Sequence, residues 1–234
     1  MGDDTPTALG ALRVDEEKLR GHVDEVVRSS VFSMSRPCKP ASPPAGTNLV
    51  ALVRLYLRHN RPGALSELNF FRTMPSLKLA GHHAAYAINH RNKRFGHQCR
   101  ITRAALAKSA ALIGAASAKL RACASFEELH EFLKNKVGAV GGIGELYLYD
   151  TTLRLGAYLG LSPKHVYMHT GTRIGARALG LDVSRHAIPF EEFPPALQSL
   201  SASELEDFLC IYKARLGNAR TRPTDRSKGS RRIC

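Results

Sequence analysis

The sequence predicts an all-α fold, and three observations carry that prediction. Apolar residues recur at three- and four-residue spacing through most of residues 49–217, strand-like alternation is nearly absent, and Ser, Thr or Asn precedes several of the periodic stretches where a helix N-cap belongs. In order along the chain, residues 12–32 read as a first helix, and Pro37, Pro40, Pro43 and Pro44 then impose a linker, so residues 1–48 form an N-terminal helix and proline-rich connection. Asn48 caps a helix over residues 49–59, Pro62-Gly63 breaks it, and a further short helix runs from Ala64 toward Pro75. Residues 77–88 are apolar around His82 and His83, and residues 89–98 make a polar, basic connection. Thr102 opens a long Ala-rich helix to about Cys123. Ser125, with Glu128 three residues later, starts a capping-box helix that carries Leu129, Phe132, Leu133 and Val137 on one face. That helix runs into Gly141-Gly142-Ile143-Gly144 and on into another apolar helix from Glu145, ended near Ser162-Pro163. Thr170 or Thr172 caps a helix through Leu179, closed by Gly180, and Ser203 caps the last, through Leu216. Residues 218–234 read as a basic, disordered tail, leaving 49–217 as one helical domain with its hairpin at about 125–160.

Composition narrows the function classes. The 234 residues are 44% hydrophobic, enough for a buried core and too apolar for a disordered chain. The formal charge is +14 and unevenly placed. No acid occurs between Glu67 and Glu127, a window holding Arg72, Lys78, Arg91, Lys93, Arg94, Arg100, Arg103, Lys108, Lys119 and Arg121; a second basic block runs from Lys213 to Arg232. Such a surface favours a polyanion, nucleic acid above all. Cys38, Cys99, Cys123, Cys210 and Cys234 are odd in number and lack CxxC spacing, which argues for a reducing compartment and against a disulfide framework, a zinc site or an iron–sulfur site. The start of the chain lacks a secretory pattern and no run is long enough for a bilayer, so a soluble, cytoplasmic protein is expected, nucleoid-associated when bound to DNA, with no membrane partner.

The stretch from Val137 to Leu159 is the most specific feature. Glycines suit a turn that needs φ > 0 and leaves no room for side chains where another backbone approaches. The helix that follows turns its unpaired amides outward, an arrangement that favours an anion, so Gly142, Gly144 and Glu145 become candidate nucleic-acid contacts. Over residues 125–180 the chain resembles the helix-hairpin-helix DNA glycosylase superfamily. The family's pattern of apolar, small, Gly, apolar, Gly, then helix is matched by Val140-Gly141-Gly142-Ile143-Gly144. The chain departs from the family twice: Leu146 stands where bifunctional members carry a lysine, and His169 stands, after the apolar run Val166-Tyr167-Met168, where the family has a catalytic aspartate.

The resemblance implies a two-lobed helical protein that binds double-stranded DNA, flips a modified or damaged base into a cleft and excises it without a cofactor. With Leu146 in place, no amine forms a Schiff base there, so the implied enzyme is a monofunctional DNA N-glycosylase leaving an abasic site. Its transition state resembles an oxocarbenium ion and needs a carboxylate, which His169 cannot supply. Asp150 is the candidate: it lies four residues after Leu146, one turn along the face that in the family points at the flipped base. Arg154, four residues further, offers an ordinary helix salt bridge instead. His169 reads either as a proton donor to the leaving base or as a cap. Arg173 and Arg177 form a basic stripe suited to phosphates or to solvent, and Glu145 at the helix start is explained by the helix dipole alone. Arg91, Lys93 and Arg94, in a polar cluster with His82, His83, His90, His97 and Gln98 and with Tyr86 and Phe95 available for stacking, read as a DNA-facing loop or a base-reading wall; no carboxylates at ligand spacing suggest metal there. The alternative function is a catalytically inactive helix-hairpin-helix DNA-binding module.

Overall fold

The structure, a computed structural model, describes residues 48–216. The chain divides into two units, residues 1–43 and 44–234, and all described residues belong to the second. The helix expected over residues 12–32, the proline-rich linker and the basic tail lie outside the described residues.

Among the described residues are nine α-helices and one two-stranded antiparallel sheet, so the chain is mostly helical. Local chemistry explains most boundaries. Helix α1 (Leu49–His59) is capped as expected, with Asn48 Oδ1 accepting the Ala51 N–H at 2.8 Å. Helix α2 (Arg61–Arg72) starts earlier than expected because Pro62 falls in its first turn, where a missing N–H costs nothing. Ser76 caps α3 (Leu77–Ala85) and Thr102 caps α4 (Arg103–Gly114). The long Ala-rich helix does not continue to Cys123: Ala116 N–H bonds three residues back to Ile113 O at 3.0 Å, Ser117 Oγ donates to Gly114 O at 2.9 Å, and a separate α5 (Ser117–Ala122) follows.

Ser125 Oγ accepts the Glu128 N–H at 3.1 Å to start α6 (Phe126–Val137), and Glu128 reaches back to the Ala124 N–H at 2.8 Å. Helix α7 (Glu145–Leu159) ends at Gly160, whose φ of 75° makes the left-handed stop. Two corrections concern caps. Helix α8 (Thr170–Ala178) is capped by His169, not by Thr170 or Thr172. Helix α9 (Ala202–Leu216) is opened by Ser201 rather than Ser203: Ser201 Oγ accepts the Glu204 N–H at 3.3 Å while Glu204 accepts the Ser201 N–H at 2.8 Å, a complete capping box.

The sheet is the departure from a purely helical reading. Strand β1 (His165–Tyr167) pairs with β2 (Ala187–Pro189), Val166 opposite Ile188, and both of those side chains are fully buried. The apolar run before His169 is thus a strand edge that delivers His169 to the start of α8.

The core has two apolar clusters. One gathers Phe71, Leu77, Leu106, Ile113, Leu129, Leu133, Tyr147 and Leu155; the other gathers Leu52, Tyr56, Val166, Ile188, Phe193, Leu205, Phe208 and Leu209. Each such side chain contributes about 1.5–3 kcal/mol by leaving water. Helix α8 lies close on α9: a Cβ at Gly175 would overlap the backbone of Leu209.

A candidate nucleic-acid interface and a buried polar network

Helices α6 and α7 pack on one another, and the connection between them is built on glycine geometry. Val140 O accepts the Ile143 N–H at 3.0 Å, closing a four-residue turn whose third position, Gly142, has φ = 84°. That conformation suits glycine because an L side chain is strained there. Val137 and Val140 are buried and hold the turn down, whereas Gly141, Gly142, Gly144 and Glu145 are exposed. Gly144 is the N-cap of α7 and has no side chain to cap with, so the N–H groups of Glu145, Leu146 and Tyr147 precede the first intrahelical bond, made by Leu148 N–H to Gly144 O at 3.1 Å. The turn abuts α4, since a Cβ on Gly142 would lie 4.0 Å from that of Ala105. Arg103 and Lys108 are exposed on the same helix.

Glu145 is drawn aside, 3.4 Å from the Arg173 guanidinium and 3.7 Å from His186 Nδ1. These contacts offset an acid that would otherwise repel a phosphate at the start of α7.

Asp150 is not an isolated carboxylate. His97 Nε2 lies 2.7 Å and Gln98 Nε2 2.8 Å from its Oδ2, and the Arg154 guanidinium stands 3.6 Å from the same oxygen. Its side chain is 14% exposed. Arg154 in turn donates to Gln98 Oε1 at 3.0 Å and to Glu67 Oε1 at 3.2 Å, and its guanidinium lies 3.9 Å from the centre of the Phe95 ring. The hydrogen bond with Asp150 raises the pKa of His97 against the opposing effect of burial. The i,i+4 pairing with Arg154 is therefore present, but as the longest of three contacts on one oxygen.

His169 is buried and spent on structure. Its Nδ1 accepts the Gly171 N–H at 3.3 Å, which leaves the proton on Nε2 facing Glu206 Oε1 and, at 2.7 Å, Thr172 Oγ1. Thr172 Oγ1 donates to Glu206 as well, at 3.0 Å. Burial raises the Glu206 pKa, and His169 opposes that shift. Beside it on α9, Asp207 has its pKa pushed up to about 6 by burial and by the neighbouring Glu206, while accepting a hydrogen bond from Tyr56 at 3.1 Å.

The remaining expected contacts divide. Arg173 does not share an exposed stripe with Arg177: it donates to the carbonyls of Val183 and Arg185 and so secures the connection after α8, while Arg177 is exposed. Arg94 likewise braces its own loop by donating to Ile101 O at 3.1 Å, whereas Lys93 is exposed; Arg91 lies beside His90. His169 lines a cleft of about 330 Å³ between α6, α7 and β1, and Asp150 is not among the lining residues. The structure thus keeps the two proposed catalytic side chains in different hydrogen-bond sets.

Sequence reasoning missed Glu206 and Glu67, and it read Gln98 as part of a DNA-facing loop, whereas Gln98 is buried between Asp150 and Arg154. Glu206 gives no clear signal, because it lies in the acidic stretch Glu204-Leu205-Glu206-Asp207 and passes for a solvated helix position. Gln98 and Glu67 reach Arg154 across 56 and 87 residues and leave no local trace. Compared with protein-family models, with curated proteins and with solved structures, the chain shows no match. Among the described residues no helix is long and apolar enough to cross a membrane.

Proposed function

We propose that the chain binds the sugar–phosphate backbone of double-stranded DNA through the turn at Gly141–Gly144, a helix-hairpin-helix element. One arrangement carries this reading: the turn is exposed, three α7 amides stand uncapped behind it, and it abuts α4 at Ala105, a helix that bears the exposed Arg103 and Lys108 in a segment with no acid from residue 68 to residue 126. Backbone amides and a helix N-terminus fix an anion's position, and surrounding Lys and Arg add long-range, salt-dependent attraction.

Base excision is the second reading, favoured by how Asp150 is held. His97, Gln98 and Arg154 converge on Oδ2, so the carboxylate is held in one orientation, as a group positioned against an oxocarbenium-like sugar would be. Water would be the nucleophile, since Leu146 supplies no amine. His169 acts here as a positioning element for the start of α8.

The test measures duplex affinity and abasic-site formation separately. Raising salt from about 50 to about 200 mM should weaken binding by roughly 10³-fold or more if six or more phosphates are contacted, and an affinity independent of salt contradicts the reading. Incubating wild type and Asp150→Asn with duplexes carrying diverse modified bases then decides the chemistry: alkali-labile sites from wild type alone support excision, and their absence from both leaves a binding module.

A further inference from the structure

We propose that the cleft between α6, α7 and β1 binds a small, flat organic cation, an amidinium or guanidinium group. The site shares Glu145 with the start of α7, but it takes a different ligand and its test does not depend on the DNA reading. Its volume, about 330 Å³, is at the lower end of those that hold small molecules.

The walls are aromatic. His130 meets Tyr167 edge-on with ring centres 4.5 Å apart, and Tyr149 lies 5.6 Å from Tyr167 at 32°. The rim is acidic. Glu127 and Glu131 lie one turn apart on α6, and Glu145 opens α7 across from them. Lys134 is the one lysine or arginine among the lining residues, and it makes only a 3.5 Å surface pair with Glu131, which a ligand can replace at small cost. Burial, reinforced by Lys134, lowers the His130 pKa to about 4, so its ring is neutral at physiological pH and presents a π surface without repelling a cation. His186 and His165 each sit beside a rim carboxylate, at 3.7 Å from Glu145 and 3.5 Å from Glu127. Three carboxylates lie on this rim; Lys134 pairs with Glu131 and Arg173 with Glu145, so a cationic ligand competes with these two partly exposed pairs, in a chain whose formal charge is +14.

A second observation also points to a ligand. Tyr149 lines the cleft, is 2% exposed and carries a hydroxyl with no hydrogen-bond partner. A buried hydroxyl left unpaired is costly, and the N–H groups of an amidinium could bond to it while the aromatic walls face the cation. A phosphate or carboxylate inside the cleft would face Glu127 and Glu131, so the polyanion proposed for the glycine turn does not fit here.

Benzamidine is the probe, with neutral, near-isosteric benzamide as the control, titrated into the full chain and followed by calorimetry and by tyrosine ring resonances. Benzamidine should bind saturably, at least about tenfold more tightly than benzamide, and shift the Tyr149 and Tyr167 signals. Glu131→Gln, at a 60% exposed side chain, and Tyr167→Leu, both checked for unchanged helicity, should each weaken binding about three- to tenfold. Equal affinity for the two probes, no saturable binding at millimolar benzamidine, or Glu131→Gln binding like wild type would overturn the proposal.

Discussion

Arg154 is 2% exposed and permanently charged, so its surroundings must replace the water it lost. Glu67, Gln98, Asp150 and the face of Phe95 do so from three separate parts of the chain. Arg154→Ala would leave two carboxylates without their cation and should cost about 3–5 kcal/mol in chemical denaturation; a loss below about 1 kcal/mol would show that the network is not structural. Asp207 gives a pH-dependent counterpart. Its pKa rises from 3.8 to about 6, so between those values the folded state keeps a proton the unfolded state has released, and stability falls as pH rises through that window. Asp207→Asn retains an acceptor for Tyr56 and removes the charge. It should therefore stabilise the protein at about pH 8, by at most about 3 kcal/mol, with the gain shrinking toward pH 4. Thermal melts at both pH values check this, and an equal effect at both contradicts it. Of these contacts the sequence exposed only Asp150 with Arg154, because four-residue spacing is local; Glu67, His97 and Gln98 arrive by tertiary folding.

At the scale of elements, caps and glycines carried the legible information. Asn48, Thr102 and Ser125 each accept the amide their position predicts, and Gly142 has the positive φ the turn requires. The failures share a cause, which is competition between neighbouring candidates of similar strength. His169 outcompetes two adjacent threonines as a cap because Glu206 fixes its ring, and Ser201 outcompetes Ser203 because Glu204 completes its capping box. The α4–α5 break and the short β1 leave too few residues for a periodic pattern. Two substitutions separate the roles of glycine. Gly142→Val forces a branched side chain to φ = 84° in an exposed turn and should cost about 1–2 kcal/mol while weakening duplex binding. Gly175→Ala drives a methyl group into Leu209 where α8 crosses α9 and should cost about 1–3 kcal/mol with duplex affinity unchanged once folded. Equal losses of affinity would deny the turn any special part in binding.

Across the described domain, charge is sorted by place. The segment supplying α3, α4 and α5 bears cations without acids and borders the glycine turn, while the carboxylates of α6 and the start of α7 collect around the aromatic cleft. One chain therefore carries both a basic segment without acids and a carboxylate-rimmed aromatic cleft, the features on which the two proposals rest. Helical content and the basic bias were readable from composition and periodicity; the cleft was not, because Glu127, His130, Tyr149 and Tyr167 each pass for ordinary surface or core residues until α6, α7 and β1 bring them together. The most direct measurement of the central claim follows backbone amide resonances as duplex DNA is added to the full chain. If the turn grips a phosphate, the N–H signals of Gly144, Glu145, Leu146 and Tyr147 shift first and furthest, and added salt reverses them. If DNA binds while those four amides stay in place, or does not bind at low salt, the account is wrong.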